Sequence, residues 1–202
     1  LGDTRTTFAA LKEINKRLLD SGIKKVITGC LNCHKLLSEH LQGMKVVFVL
    51  EVLPLEVFQK QSNESIYLHH PCPASRWEKI PDAARILVDH INSSGAYSEN
   101  YLKSANSIVE TSESLCCGLG GGLNSVSPEM AGRFLDDIVQ KAKDKTVITY
   151  CTGCQSRFLQ QGIKAVHLLE CLSTEEPRQT VPSPIRQWMN RLALATAARL
   201  MT

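Results

Sequence analysis

The chain has 202 residues, a formal net charge of +3 and 43% apolar residues, which suits one large or two small globular units with an ordinary core. Charge is spread without a long run of one sign and aromatics reach only 5%, so the electrostatic footprint and stacking surface of a nucleic-acid binder are absent. No apolar stretch reaches the roughly 18 residues that a membrane span needs. The opening Leu1-Gly2-Asp3-Thr4-Arg5 has no initiating Met and no basic-then-apolar order of a signal peptide. A cytoplasmic chain that begins inside a longer protein is expected.

In chain order, Thr6 or Thr7 caps a helix running to about residue 20. The β-branched run 25–28 reads as a buried strand. A helix is expected after Cys33, a strand over 45–50, a short helix over 55–59 and a strand over 65–69. Residues 80–91 read as helix and 107–110 as a weak strand. Ser127 as cap and Pro128 in the first turn start a helix to about 143. A strand over 146–149, a helix over 153–160 and a strand over 164–168 complete the pattern. Strands alternating with helices imply parallel sheets with crossover helices, and sites in such sheets form beyond the C-terminal ends of strands. The stretch 175–183, with Pro177, Pro182 and Pro184 at its end, reads as a linker. The tail 182–202, with Ile185, Trp188, Met189 and Leu192 among arginines, reads as an amphipathic helix. Packing on its own domain is expected for it; docking to a partner or peripheral association with a membrane surface is the rarer use.

The chain contains an internal repeat. Residues 24–53, KKVITGCLNCHKLLSEHLQGMKVVFVLEVL, align with residues 145–172, KTVITYCTGCQSRFLQQGIKAVHLLECL. Cys30 and Cys33 meet Cys151 and Cys154, and Glu51 meets Glu170. A helix-like segment precedes each copy. The fold expected is therefore α/β, with two pseudo-repeated Rossmann-like halves carrying parallel sheets, plus the C-terminal amphipathic helix. Residues 1–60 form a first, N-terminally truncated cysteine-rich repeat. Residues 61–174 form a second, complete one, and 175–202 hold the linker and tail helix. In the second half Cys116-Cys117 lies just before the helix at Pro128; the matching place in the first half falls before Leu1.

Eight cysteines stand at 30, 33, 72, 116, 117, 151, 154 and 171. A disulfide framework belongs to small secreted chains, and this chain lacks a secretory signal. Burial as a small apolar residue suits Cys171 but not the clustered CxxC and CC pairs. Iron–sulfur clusters are held by thiolates, and CxxC lets two sulfurs grip one centre. Cys151-Thr152-Gly153-Cys154 falls where a helix begins, and free N–H groups there favour thiolate over thiol. After Cys116-Cys117, the run Gly118-Leu119-Gly120-Gly121-Gly122 lets the backbone approach closely and aim N–H groups at anionic sulfur, so Gly118, Gly120 and Gly121 are the expected cofactor-binding glycines. A dinucleotide fingerprint would need Gly where Leu123 stands, and no Gly-Lys-Ser/Thr phosphate loop follows. Five clustered thiols, Cys72, Cys116, Cys117, Cys151 and Cys154, exceed what zinc requires, although zinc on four of them, in a zinc-stabilised non-enzymatic interaction module, is the alternative.

The pattern Cys72, 43 residues, Cys116-Cys117, 33 residues, Cys151-x-x-Cys154, with His69-His70-Pro71-Cys72 and the glycine run, resembles the cysteine-rich CCG domain family. That family includes heterodisulfide reductase subunits of the B and D types. It also includes the iron–sulfur subunits of glycolate, lactate and anaerobic glycerol-3-phosphate oxidation systems. The resemblance covers roughly residues 2–173. It implies a [4Fe–4S] cluster, of the noncubane kind in heterodisulfide reductase, on Cys72, Cys116, Cys117, Cys151 and Cys154. It implies an oxidoreductase role with iron–sulfur or flavin proteins as partners. Family members usually carry two full motifs. Here the first keeps only Cys30 and Cys33, which are free thiols, a disulfide switch, or half of a site finished upstream. A complete first cluster is not expected within this chain, which alone is not expected to be a finished enzyme.

His69 and His70 flank the site. A hydrogen-bonded structural pair is favoured over a ligand or proton donor. His34 and His40 are expected on helix surfaces, and His90 and His167 in structural roles. Arg76 and Arg85 either steer an anionic substrate or are simply solvated.

Overall fold

The computed structural model describes residues 4–58, 65–77, 79–92, 108–110 and 116–173. Between 177 and 196 it also describes residues 177, 179–183, 185, 186, 188–190, 192, 193 and 196. The first unit runs α1 (Thr4–Asp20), β1 (Lys25–Thr28), α2 (Leu31–His40) and β2 (Lys45–Phe48). The second runs β3 (Ile66–His69), α3 (Lys79–Asn92), β4 (Ile108–Glu110), α4 (Leu123–Val126), α5 (Pro128–Lys141), β5 (Thr146–Thr149), α6 (Thr152–Gln160) and β6 (Ala165–His167). All strand pairs are parallel, in a two-stranded sheet β1-β2 and a four-stranded sheet of order β4-β3-β5-β6. The expected α/β architecture with parallel sheets is what forms.

The repeat is visible in the register. Val26 faces Val46 and Thr28 faces Phe48 in the first sheet. At the matching places Val147 faces Ala165 and Thr149 faces His167. Both copies then turn the same way. The Glu51 carboxylate accepts the Phe48 N–H at 2.9 Å, and the Glu170 carboxylate accepts the His167 N–H at 3.0 Å. Each glutamate thus holds the start of a 3-10 turn, Val49–Glu51 or Leu168–Leu172. This is why the strand expected to reach residue 50 ends at Phe48.

Two cores flank the larger sheet. On one face Ile66, Leu68, Ile148 and Val166 pack against Ile80, Ala84, Leu87, Val88 and Ile91 of α3. Leu31, Phe48 and Leu50 of the first unit join this same core. On the other face Tyr67, Val147 and Ala165 pack against Leu135 and Ile138 of α5 and Phe158 of α6. The alternation along β3 and β5 follows the two-residue period of strands. Each fully buried aliphatic or aromatic side chain contributes about 1.5–3 kcal/mol.

Three expectations are corrected. The helix expected after Cys33 starts at Leu31, because Cys30 stays extended and its sulfur accepts the Cys33 N–H as an N-cap. His34, expected on the surface, is buried at 5% exposure. Its Nδ1 shares a 3.0 Å hydrogen bond with the Thr28 hydroxyl, and its ring packs edge-on to Phe48 and Trp77. A residue four positions after the N-cap faces back over the first turn, so it points inward here. His40 is half-buried beside Phe8, and His167 accepts the Leu169 N–H in the structural role expected. Arg85 pairs with Asp82 on α3. The described tail residues include helical ones, and Ile185, Trp188, Met189 and Leu192 are exposed rather than packed on the domain. The boundary near residue 60, the start of the weak strand at 107 and the linker positions 175, 176 and 178 lie outside the described residues.

Candidate metal centre

Cys72, Cys116, Cys117, Cys151 and Cys154 come together at the C-terminal edge of the larger sheet. Cys72 opens a 3-10 helix three residues beyond β3, and Cys151 is the N-cap of α6, two residues beyond β5. Cys154 lies in the first turn of α6, and Cys116 and Cys117 lead into the glycine turn before α4. The sulfurs touch in pairs. Cys72 is hydrogen-bonded to Cys116 and lies within the field of Cys117 and Cys151, while Cys154 is hydrogen-bonded to both Cys117 and Cys151. Cys117 and Cys154 are buried, Cys116 and Cys151 half-buried and Cys72 exposed. The set therefore grades from protein interior to solvent.

The local sequence explains the electrostatics. The Cys154 thiol donates to Cys151, and the backbone N–H groups of Cys154 and Gly153 add to it. Together they overcome burial and draw the Cys151 thiol down to about 6. Cys117 is drawn down to about 7, again by Cys154 first, against burial and with help from the Leu119 N–H. Cys72 is pushed up to about 11 by burial and by the neighbouring thiols Cys116, Cys117 and Cys151. Cys154, donor to two sulfurs and buried, is pushed up as well. The Gly118 N–H donates to Cys116 Sγ at 3.3 Å.

The three glycines differ in what they do. Gly118 has φ +77°, and a Cβ there would stand 2.3 Å from the Ala131 carbonyl oxygen. Only glycine lets the loop pass this close to α5. Gly121 also has positive φ, +67°, but faces open space, as does Gly120. Both form the 3-10 turn Gly120–Gly122 that leads into α4. Gly153 sits under Leu119, whose Cδ2 would be 3.2 Å from an added Cβ. Leu119 thus joins the CC loop to the start of α6, a role with no signal in the sequence.

The two flanking histidines also part company. His70 Nδ1 hydrogen-bonds the Tyr150 hydroxyl at 2.7 Å, as a structural histidine should. His69 is 0% exposed, yet among the described residues neither ring nitrogen has a hydrogen-bond partner. Thr149 Oγ1, across the ladder from it, is buried and unpartnered in the same sense. An orphaned buried donor costs about 1–3 kcal/mol.

The remaining cysteines stay apart from this set. Cys30 and Cys33 are exposed, and the Cys33 N–H donates to Cys30 Sγ at 3.4 Å. A bond to Cys30, then burial, pushes the Cys33 thiol up. Cys171 is buried in the core, and burial pushes it up to about 11.

The donor set fits a sulfur-ligated metal centre. Low thiol pKa values favour the thiolate that metals bind. Among the described residues no three histidine, cysteine or acidic side chains converge on one point as a single ion would need.

Residues 66–158 match the family model of the CCG cysteine-rich domain. The chain is similar to one subunit of the CoM/CoB fumarate reductase of Methanothermobacter marburgensis, at 25% identity over 181 residues, covering 80% of this chain and 34% of the relative. It is also similar to one subunit of the dihydromethanophenazine:CoB–CoM heterodisulfide reductase of Methanosarcina mazei, at 27% identity over 161 residues, covering 72% of this chain and 37% of the relative. The matched region is about a third of the length of each relative. Among the described residues no helix is long and apolar enough to cross a membrane.

Proposed function

We propose that this chain is a redox segment of a larger oxidoreductase subunit. It holds a [4Fe–4S] cluster, cubane or noncubane, on Cys72, Cys116, Cys117, Cys151 and Cys154. The observation that carries this reading is the proximity of the five thiols, from three separate stretches of chain: Cys72 pairs with Cys116, Cys154 pairs with Cys117 and Cys151, and Cys72 lies in the field of Cys117 and Cys151. A cluster bound there supplies one-electron redox chemistry. The residues hold its charge: the N–H groups of Gly118, Leu119, Gly153 and Cys154 face Cys116, Cys117 and Cys151. Exposed Cys72 leaves one side of the site open to solvent, where an iron–sulfur or flavin protein of the same complex can approach within electron-transfer range.

Both relatives are named for CoM/CoB chemistry, one of them as a heterodisulfide reductase. Reducing a disulfide consumes two electrons and two protons and releases two thiols. A single one-electron site supplies half of that electron count at a time. Disulfide cleavage is therefore assigned to the longer protein and not to this segment alone. The thiols must stay reduced to bind metal, which favours the cytoplasm as their compartment. Zinc on four of the thiols is the competing reading, and a set of five thiols exceeds the four ligands that a structural zinc takes.

Anaerobic reconstitution with iron and sulfide, followed by metal analysis and EPR, tests the proposal. Binding of about four iron and four sulfide with broad visible absorption is expected. Uptake of one zinc by a colourless protein that refuses iron would overturn it.

A further inference from the structure

His69 ends β3 on the same face of the sheet as the buried thiols. Along β3, Tyr67 belongs to the core that contains Cys117 and Cys154, whereas Ile66 and Leu68 belong to the opposite core. His69 continues the Tyr67 series. Its ring stands at 88° to that of Phe158, with centroids 5.0 Å apart, and Phe158 follows Cys154 by one turn of α6. Thr149, its register partner on β5, continues the Val147 series on the same face. Two adjacent buried polar groups therefore share the sheet face whose core contains Cys117 and Cys154, and among the described residues no atom satisfies either of them.

The imidazole is neutral. Burial, then the neighbouring His70, pushes it down to about 3. A neutral imidazole still carries one N–H, and that hydrogen needs an acceptor. The groups on this face that become strongly accepting on loading are the metal-bound sulfurs.

We propose that His69 is a positioning residue for the metal centre: its imidazole N–H, with the Thr149 hydroxyl beside it, donates a hydrogen bond to sulfur of the group held by Cys117 and Cys154. This rests on the cluster reading above. Hydrogen bonds to cluster sulfur stabilise the more negative, reduced state and so raise the reduction potential. The same bond fixes Cys154 against the floor of the site.

The test compares wild type with His69→Leu, His69→Gln, His69→Asn and Thr149→Val, each reconstituted anaerobically. Midpoint potentials are read by EPR-monitored titration, and thermal midpoints are read on metal-free protein. His69→Leu is expected to shift the potential to more negative values, and Thr149→Val to shift it the same way by less. One of the two amide variants, whichever places its NH2 where the imidazole N–H stood, should return it toward wild type. In metal-free protein His69→Leu should leave the thermal midpoint unchanged or raise it, because it removes an orphaned polar group. If His69→Leu and Thr149→Val both load fully at the wild-type potential, the proposal is overturned while the cluster reading stands. A His69→Leu protein with a lowered metal-free midpoint and an unchanged potential marks a purely structural histidine and overturns it equally. If His69→Leu fails to fold, Thr149→Val and the amide variants decide. Wild type that takes up no iron and sulfide overturns both readings together.

Discussion

The two copies of the strand–helix–strand unit share their register but not their surroundings. Ile148 of β5 is 3% exposed, and its counterpart Ile27 of β1 is 56% exposed. β5 lies between β3 and β6, whereas among the described residues β1 pairs only with β2. α5 buries Ala131, Leu135 and Ile138, whereas α1 buries only Leu11 and leaves Phe8, Ile14 and Leu19 exposed. The CxxC pair follows the same contrast. In both copies the first cysteine is the N-cap residue of the helix, and in the first copy the Cys33 N–H reaches back to its sulfur at 3.4 Å. In the second copy Cys72 and the CC loop bring three more thiols, while the described residues bring no further thiol to Cys30 and Cys33. Local sequence is enough to place a cysteine at a helix start. A full thiol set needs the neighbouring strand and the glycine loop.

The largest expected effect separates the copies by metal content. Cys154→Ser should abolish cluster binding, measured as iron and sulfide per chain, because Cys154 joins Cys117 to Cys151. Cys30→Ser with Cys33→Ser should leave both counts at the wild-type level; a fall in iron in that double variant would break the comparison.

Next come the glycines. Gly118→Ala forces a Cβ into the Ala131 carbonyl at positive φ and should destabilise the chain by about 2–3 kcal/mol in denaturant titrations. Gly29→Ala in the first copy meets nothing within 4 Å and should be close to neutral.

The matched glutamates sharpen the comparison further. Glu170 accepts from the His167 N–H and, at 2.7 Å, from the Gln155 side chain, whereas Glu51 accepts from the Phe48 N–H. Glu170→Ala should therefore cost about 2 kcal/mol and Glu51→Ala about 1 kcal/mol, read as shifts in denaturant midpoint.

Thiol chemistry in metal-free, reduced protein provides a pH test. The Cys151 pKa falls from 9.0 to about 6 on folding. Its contribution to stability is therefore present above pH 9 and is lost as pH falls from 9 through 6. At pH 7 it is mostly thiolate, while Cys33 and Cys171, with raised pKa values, are mostly thiol. Alkylation mapped by mass spectrometry at about pH 7 should label Cys151 ahead of the more exposed Cys33, with a rate midpoint near pH 6. Equal labelling of the two would remove the electrostatic distinction between the copies.

The smallest effect concerns the tail. Deleting residues 182–202 should move the thermal midpoint very little, since the described tail residues from Ser183 onward are exposed. A large drop would mean that the tail covers one of the exposed apolar faces.

Sequence by itself determined the α/β class, the repeat, the strand order along the chain and the five thiols as a group. Each of these rests on local pattern: β-branched runs, a capping Ser127 and Pro128, and cysteines at helix starts. The matching glutamates were visible as a coincidence of alignment, and the structure turned that coincidence into two equivalent N–H···carboxylate bonds. Tertiary structure alone decided the rest. It buried His34, bonded His70 to Tyr150 while leaving His69 without a partner among the described residues, and set Leu119 over Gly153. The physical reason is that burial and partnership depend on which strand lies alongside and which face is covered. Register pairs His69 with Thr149 and two-residue alternation puts both on the face whose core contains Cys117 and Cys154, and no local signal in His-His-Pro-Cys distinguishes the first histidine from the second.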